Sequence, residues 1–135
     1  MAGPVVHRPA RPLGPSFGTA TEADVQPFLS VMQLIHSEPT ASAFNRLLNQ
    51  EMRPEDELSL AHVFEEICAL AAHRLLPEDL LFDAFAIDHY WNQLKDRALT
   101  MREKWENPKL FENFEAMARL AQEYRWARPP KLIPS

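Results

Sequence analysis

An all-α fold, a single-domain bundle of about five helices with extended proline-rich ends, follows from three features of the sequence. Apolar residues recur at three- and four-residue spacings through the middle of the chain, and no stretch alternates apolar with polar for long enough to make a strand. Three glycines in 135 residues are too few for the tight turns of an all-β protein. Seven of the twelve prolines lie in the two ends of the chain. Of the remaining five, Pro39, Pro54, Pro77 and Pro108 sit where one helical pattern stops and the next begins. Proline breaks a helix interior but is tolerated in a first turn, so these residues mark the joints.

Each element then has its own signature. Asp24 is placed to cap a first helix, with Pro27 in its first turn and Phe28, Leu29, Met32 and Ile35 on one face. Thr40 follows a turn and is placed to cap a shorter second helix carrying Ala43, Phe44, Leu47 and Leu48. Pro54 opens a third, with Glu55, Asp56 and Glu57 at the positive end of its dipole. Its buried stripe is Leu60, Val63, Phe64, Ile67 and Ala71, with Cys68 beside it. "LLPED" closes that helix and starts a fourth, predicted to run from Glu78 to Trp105, roughly 42 Å at 1.5 Å per residue. "ENPKLF" is the last joint, with Asn107 as cap and Pro108 in the first turn. The fifth helix shows Leu110, Phe114, Met117, Ala121 and Tyr124 at heptad spacing.

The long stretch "FDAFAIDHYWNQLKDRALTMREKW" carries a seam of Ala84, Ile87, Trp91, Leu94, Ala98, Met101 and Trp105. A two-stranded coiled coil wants Leu, Ile or Val along such a seam. Here alanine alternates with tryptophan, and Phe82, Phe85 and Tyr90 widen the apolar surface. That width predicts a core wall packed against several helices, the fifth being its antiparallel neighbour. Met101 and Trp105, set among Arg102, Glu103 and Lys104, are expected to project beyond the core, with Phe111 and Phe114 backing an aromatic patch.

The net charge of −5 is unevenly spread. Residues 1–18, an N-terminal arm, carry Arg8 and Arg11 and no acid, which is +2. Residues 124–135 carry Arg125, Arg128 and Lys131 and no acid, which is +3. The stretch between holds 9 basic and 19 acidic residues, or −10. We divide the chain into that arm, a helical domain over 19–124 and a basic tail over 125–135. Five charges split over two arms make a poor footprint for nucleic acid, whose binding scales with the phosphates neutralised. The arms suit an acidic partner, a second copy, or the chain's own acidic body. No run of 18 apolar residues is present, so no membrane-inserted span is expected. The proline-rich start does not read as a signal peptide, and a single cysteine fits a reducing, cytoplasmic setting.

Few residues suggest chemistry. His62, Glu65, Glu66 and His73 share nearly one face of the third helix, and His with Glu at such spacings can reach one metal ion. A di-metal carboxylate bundle needs Glu-x-x-His on two helices, and the sequence has none. A solvated face is the plainer reading. Asp88 and His89 are adjacent and so splayed on a helix, Cys68 reads as a small buried hydrophobe, and Glu112 and Glu115 read as solubilising charge. There is no phosphate-binding loop, nucleophile elbow or zinc-ligand spacing. No catalytic residue, cofactor or metal is assigned.

The arms carry more information. "RPARPLGP" holds two overlapping Pro-x-x-Pro units with Arg8 and Arg11 interleaved, a composition that favours polyproline II. The tail "YRWARPPKLIP" mirrors it. Residues 4–17 and 125–134 are predicted to pack as extended segments, anchored by Phe17, Trp126, Leu132 and Ile133.

The run from "HVFEEICALAAHRLLPEDLLFDAF" through "YWNQL", "MREKW" and "LFENFEAMARLAQEY" resembles a bacterial family described as domain of unknown function 4760. The shared pattern is an apolar helix ending in an acidic turn, a helix with a central tryptophan, a later arginine, and a last helix opening with Phe-Glu. Here those are Leu76–Asp79, Trp91, Arg102 and Phe114–Glu115. The resemblance implies a small helical domain and points away from an enzyme. The sequence therefore predicts a non-catalytic interaction module, a subunit or adaptor that binds another protein or assembles with itself. Its candidate interface is Arg8, Arg11, Phe17, Trp105, Phe111, Arg125, Trp126, Arg128, Lys131 and Ile133. The competing reading is a helical enzyme binding a metal or small molecule through His62, Glu65, Glu66 and His73.

Overall fold

The computed structural model describes residues 17–18 and 20–128. They are all-α. A 3-10 turn, Glu22–Asp24, leads into α1 (Val25–Ile35), followed by α2 (Thr40–Leu48), α3 (Pro54–Ala72), α4 (Glu78–Ala84), α5 (Ile87–Lys104) and α6 (Glu112–Ala127). Most residues of the predicted arms, Arg8, Arg11, Lys131 and Ile133 among them, lie outside the described residues.

The fourth helix expected from the sequence is two helices. α4 stops at Ala84, Phe85 is extended (φ −135°, ψ 135°) and α5 begins at Ile87. The break turns Phe85 into the core, where its ring meets that of Phe44 at 6.3 Å. The expected seam survives in its middle: Ile87, Trp91, Leu94 and Ala98 are buried. Ala84 is exposed, Met101 is half-buried and Trp105 stands out at 65% exposure.

α3 is the central element, packed on α6, α2 and α5, and it contributes Leu60, Phe64, Ile67, Cys68 and Ala71 to the interior. Pro54 occupies its first turn as predicted. Phe64 is fully buried, with ring neighbours Phe44 of α2, Tyr90 of α5 and Phe114 of α6 at 6.0, 5.1 and 5.4 Å. α5 and α6 pack together with their ion pairs in opposite order along the two helices. Asp88 meets Arg125 at one end and Arg102 meets Glu115 at the other, as an antiparallel pair requires. On α1, Val31 and Ile35 are buried and Phe28 and Met32 pack against the core, so the expected face holds at Phe28, Met32 and Ile35, while Leu29 is exposed, as are Val25 and Leu34.

Three predicted caps act differently. The Asp24 carboxylate accepts hydrogen bonds from the Thr21 N–H and hydroxyl (2.7 and 3.2 Å), closing the 3-10 turn rather than capping α1. Thr40 is the first residue of α2, not its cap. Asn107 accepts from the Lys109 N–H (3.1 Å), forming a local turn, and α6 starts later, at Glu112. α6 also runs on through Arg125 and Trp126, into the segment expected to be extended. Nothing in "YRWA" breaks a helix. The turn to extended backbone comes at Arg128 (φ −61°, ψ 137°), the conformation that a following proline imposes.

Helices α2, α3 and α5 end alike. Gln50, Arg74 and Glu106 follow their last turns at φ 58°, 60° and 50°. The next N–H in each case bonds five residues back: Glu51 to the Arg46 carbonyl (2.8 Å), Leu75 to Leu70 (2.8 Å), Asn107 to Arg102 (3.0 Å). Such left-handed ends favour glycine, and none is used. Glycine at Gln50, Arg74 or Glu106 is expected to stabilise the protein by about 0.5–1 kcal/mol each, strain relief outweighing the added freedom of the unfolded chain. Urea unfolding checks this. Ser59→Gly, inside α3, should shift the midpoint the opposite way.

Candidate interaction surface

The polar groups of α3 are committed to joining helices. The first four N–H groups of a helix lack partners within it, and at α6 the cap position is Phe111, which offers no acceptor side chain. Glu65 of α3 supplies one across the core. Its Oε1 accepts from the Asn113 N–H (2.8 Å) and its Oε2 from the Phe114 N–H (3.1 Å). A carboxylate at the positive end of a helix is also favoured by the dipole. Burial raises the Glu65 pKa, and these two hydrogen bonds partly oppose the rise. The predicted solvated face thus holds for the exposed Glu66 but not for Glu65. His62 sets its ring edge-on to Phe111 at 5.0 Å. Among the described residues no three His, Cys, Asp or Glu side chains are placed to hold one metal ion.

Phe111 itself corrects an expectation. Its backbone is left-handed (φ 63°), which swings the ring under α3, and only 1% of the residue is exposed. It presents no patch to a partner, and Phe114 behind it is equally buried.

Two arginines and two carboxylates that sequence reasoning assigned no such role complete the framework. Arg46 donates through Nε and Nη2 to Asp56 Oδ2 and Oδ1 (2.6 and 2.7 Å), while the Arg53 N–H donates to Asp56 Oδ2 (3.0 Å). The Arg46 hydrogen bonds lead in holding the Asp56 carboxyl down from 3.8 to about 2, against the desolvation that opposes them. Arg102 bridges the α5–α6 corner. Its Nε donates to the Leu110 carbonyl (2.6 Å), its Nη2 to Glu115 (3.1 Å), and its guanidinium lies 5.8 Å from the centre of the Trp91 ring. Glu115 is therefore a structural partner, beyond the solubilising charge expected of it. Two signals were present in advance: the resemblance marked Trp91, Arg102 and Glu115, and the eleven residues from Trp91 to Arg102 are about three turns, so both share a face.

At the other end of α6, Arg125 Nη2 donates to the buried Asp88 (2.6 Å) and Nη1 contacts His89. Arg128 reaches Asp83 at 3.4 Å. Adjacent Asp88 and His89 thus share one guanidinium, although they form no dyad. Phe17 stacks on Tyr124, with centroids 5.3 Å apart and planes at 23°. Of the predicted interface residues within the described part, Phe17, Arg125 and Arg128 are tied to the body and Phe111 is buried. Trp105 and Trp126 remain, 65% and 78% exposed. Beside Trp105 an open groove of about 860 Å³ is lined by Asp96, Leu99, Thr100, Arg102, Glu103, Glu106, Asn107 and Pro108. Of the groove's lining residues, Arg102 is already engaged with Leu110 and Glu115.

An all-α bundle whose charged side chains pair helix to helix, with Trp105 and Trp126 exposed, defines a small helical domain. The chain belongs to the family described as Domain of unknown function (DUF4760), whose model matches residues 20–126. The match reaches α1 and α2 as well as the stretch from His62 to Tyr124 that carried the resemblance. Comparison with curated proteins and with solved structures finds no match. No helix among the described residues is long and apolar enough to cross a membrane.

Proposed function

We propose that this chain is a non-catalytic protein-interaction module, a subunit or adaptor that engages another protein, or a second copy, through its aromatic helix surface and terminal arms. The observation that carries this reading is the exposure of Trp105 and Trp126 on a bundle that buries its other large aromatics wholly or in part, Phe17 at the edge excepted. Tryptophan is the residue most enriched among those that dominate binding energy at interfaces. The groove at the C-terminal end of α5, where Trp105 follows the helix, is lined by Leu99 and the carboxylates of Asp96, Glu103 and Glu106 among others. A partner segment that is apolar with basic flanks suits that corner, since complementary charge guides and orients encounter.

The test compares the full chain with Trp105→Ala and Trp126→Ala, by native mass spectrometry and by affinity capture at matched protein levels. Both side chains are exposed, so melting is expected to stay within a degree or two of wild type, the effect of a few tenths of a kcal/mol. A complex lost in one variant at unchanged stability supports the proposal. A strict monomer that captures the same proteins with and without both tryptophans sinks it.

A further inference from the structure

The indole N–H of Trp91 is a donor that the bundle does not use. Trp91 is only 9% exposed, and its contacts are made through the ring. Phe114 stands edge-on to it at 5.1 Å, and the Arg102 guanidinium lies 5.8 Å from its centre. Among the described residues nothing accepts a hydrogen bond from Nε1. A buried indole N–H ordinarily has a partner, and lacking one costs free energy. Trp91 lines a hollow of about 130 Å³ whose walls are residues of α5 and α6.

Helical spacing assembles those walls. Asp88, Trp91 and Asn92 lie three and four residues apart on α5, as Ala118, Arg119 and Gln122 do on α6, so each set shares one side of its helix. Four of the six offer N–H donors: the Trp91 indole, the Asn92 and Gln122 amides and the Arg119 guanidinium. The Arg119 side chain is 79% exposed and loosely held, 3.8 Å from Glu115. Arg102 already bonds Glu115 at 3.1 Å, so two guanidiniums share one carboxylate and one positive charge is left over. Asp88, the acid in the lining, is neutralised by Arg125 at 2.6 Å. Donors with a surplus cation suit an anionic oxygen, because hydrogen bonds to a charged acceptor are the stronger kind. A water takes up about 30 Å³ in the liquid, so the hollow admits a carboxylate on a short stem and little more.

We propose that this hollow binds a carboxylate group, with the Trp91 indole N–H, the Gln122 amide and the Arg119 guanidinium donating to its oxygens. The carboxylate comes from a free small acid or from an acidic side chain of a partner. Neither Trp105 nor Trp126 is part of the lining, so the site stands apart from the interaction surface.

The experiment uses the full chain labelled with 15N. Each tryptophan gives one indole N–H signal, and the Trp105→Ala and Trp126→Ala chains identify that of Trp91 by elimination. Acetate is exchanged for chloride at constant ionic strength and neutral pH. The Trp91 signal is expected to shift and saturate together with the side-chain amides of Asn92 and Gln122, while those of Trp105 and Trp126 stay in place. Arg119→Gln should weaken acetate binding about tenfold, the loss of one charge-assisted hydrogen bond. Its melting should match wild type, because the side chain is exposed. Acetamide, the same shape without the charge, should leave the Trp91 signal unmoved. N-acetylglutamate α-amide separates the two sources. Binding tighter than acetate assigns the site to a partner's side chain, and weaker binding assigns it to a free acid. A Trp91 signal that stays fixed or never saturates overturns the proposal. So does an equal shift at all three tryptophans, an equal response to acetamide, or acetate affinity unchanged in Arg119→Gln.

Discussion

Phe64→Ala is expected to lower the free energy of unfolding by about 3–5 kcal/mol, as removal of a buried aromatic from a packed core does. The Phe64 ring meets Phe44, Tyr90 and Phe114, so one truncation loosens α3 from α2, α5 and α6 together. Against a total stability of about 5–15 kcal/mol for a domain, that loss is large enough to leave part of the population unfolded at body temperature. Urea titration followed by circular dichroism measures it. Phe17→Ala, which removes one partly exposed ring at the edge, should cost less than about 1 kcal/mol by the same assay. Equal costs at the two positions would mean that the four rings do not form one cooperative core.

The second large effect is expected at Glu65. Alanine there strips acceptors from the Asn113 and Phe114 N–H groups in a half-buried position and should cost about 2–3 kcal/mol. Glu65→Gln keeps one oxygen and should fall between. The pH dependence gives a sharper check. Burial raises the folded pKa of Glu65, so its contribution to stability is greatest at low pH and is lost as pH rises through that value. The penalty of Glu65→Ala should therefore grow on acidification. Asp56 has the opposite sign: with its pKa lowered from 3.8 to about 2, its contribution is present above 3.8 and lost as pH falls through about 2. The penalty of Asp56→Asn should shrink over that range. Denaturant titrations of the wild type and both variants between neutral and acid pH separate the two, and parallel curves would refute this assignment of the carboxylates.

Local patterns made much of the architecture readable. α3 announced itself through Pro54, three acids in its first turn and an apolar stripe at helical spacing, because each of those is decided within a few residues. The break at Phe85 and Ala86 left no such mark. Neither residue is a proline or a glycine, and what accompanies the break, Phe85 buried beside Phe44, involves a helix far away in the sequence. Phe111 was misplaced for a related reason. Next to a joint it looks exposed, and only its left-handed backbone sends it inward. The part played by Glu65 was out of reach of any periodicity, since the N–H groups it serves lie 48 and 49 residues away. Trp105 was legible as a residue outside the core because charged neighbours surround it. Trp126 was expected to be an anchor in an extended tail, whereas the uninterrupted helix through "YRWA" carries it out into solvent.

Cys68 sits on the innermost face of α3, fully buried, and burial drives its thiol pKa well above the ordinary value. As the sole cysteine in the chain, it is a built-in clock. A thiol reagent has nothing to react with until α3 parts from its neighbours, so the labelling rate counts core openings rather than surface collisions. The Phe64, Phe17, Glu65 and Asp56 substitutions can each be timed against it without a dye, a tag or a fluorophore in the fold, and the ratio of variant to wild-type rates reads directly as the change in how often the bundle comes apart.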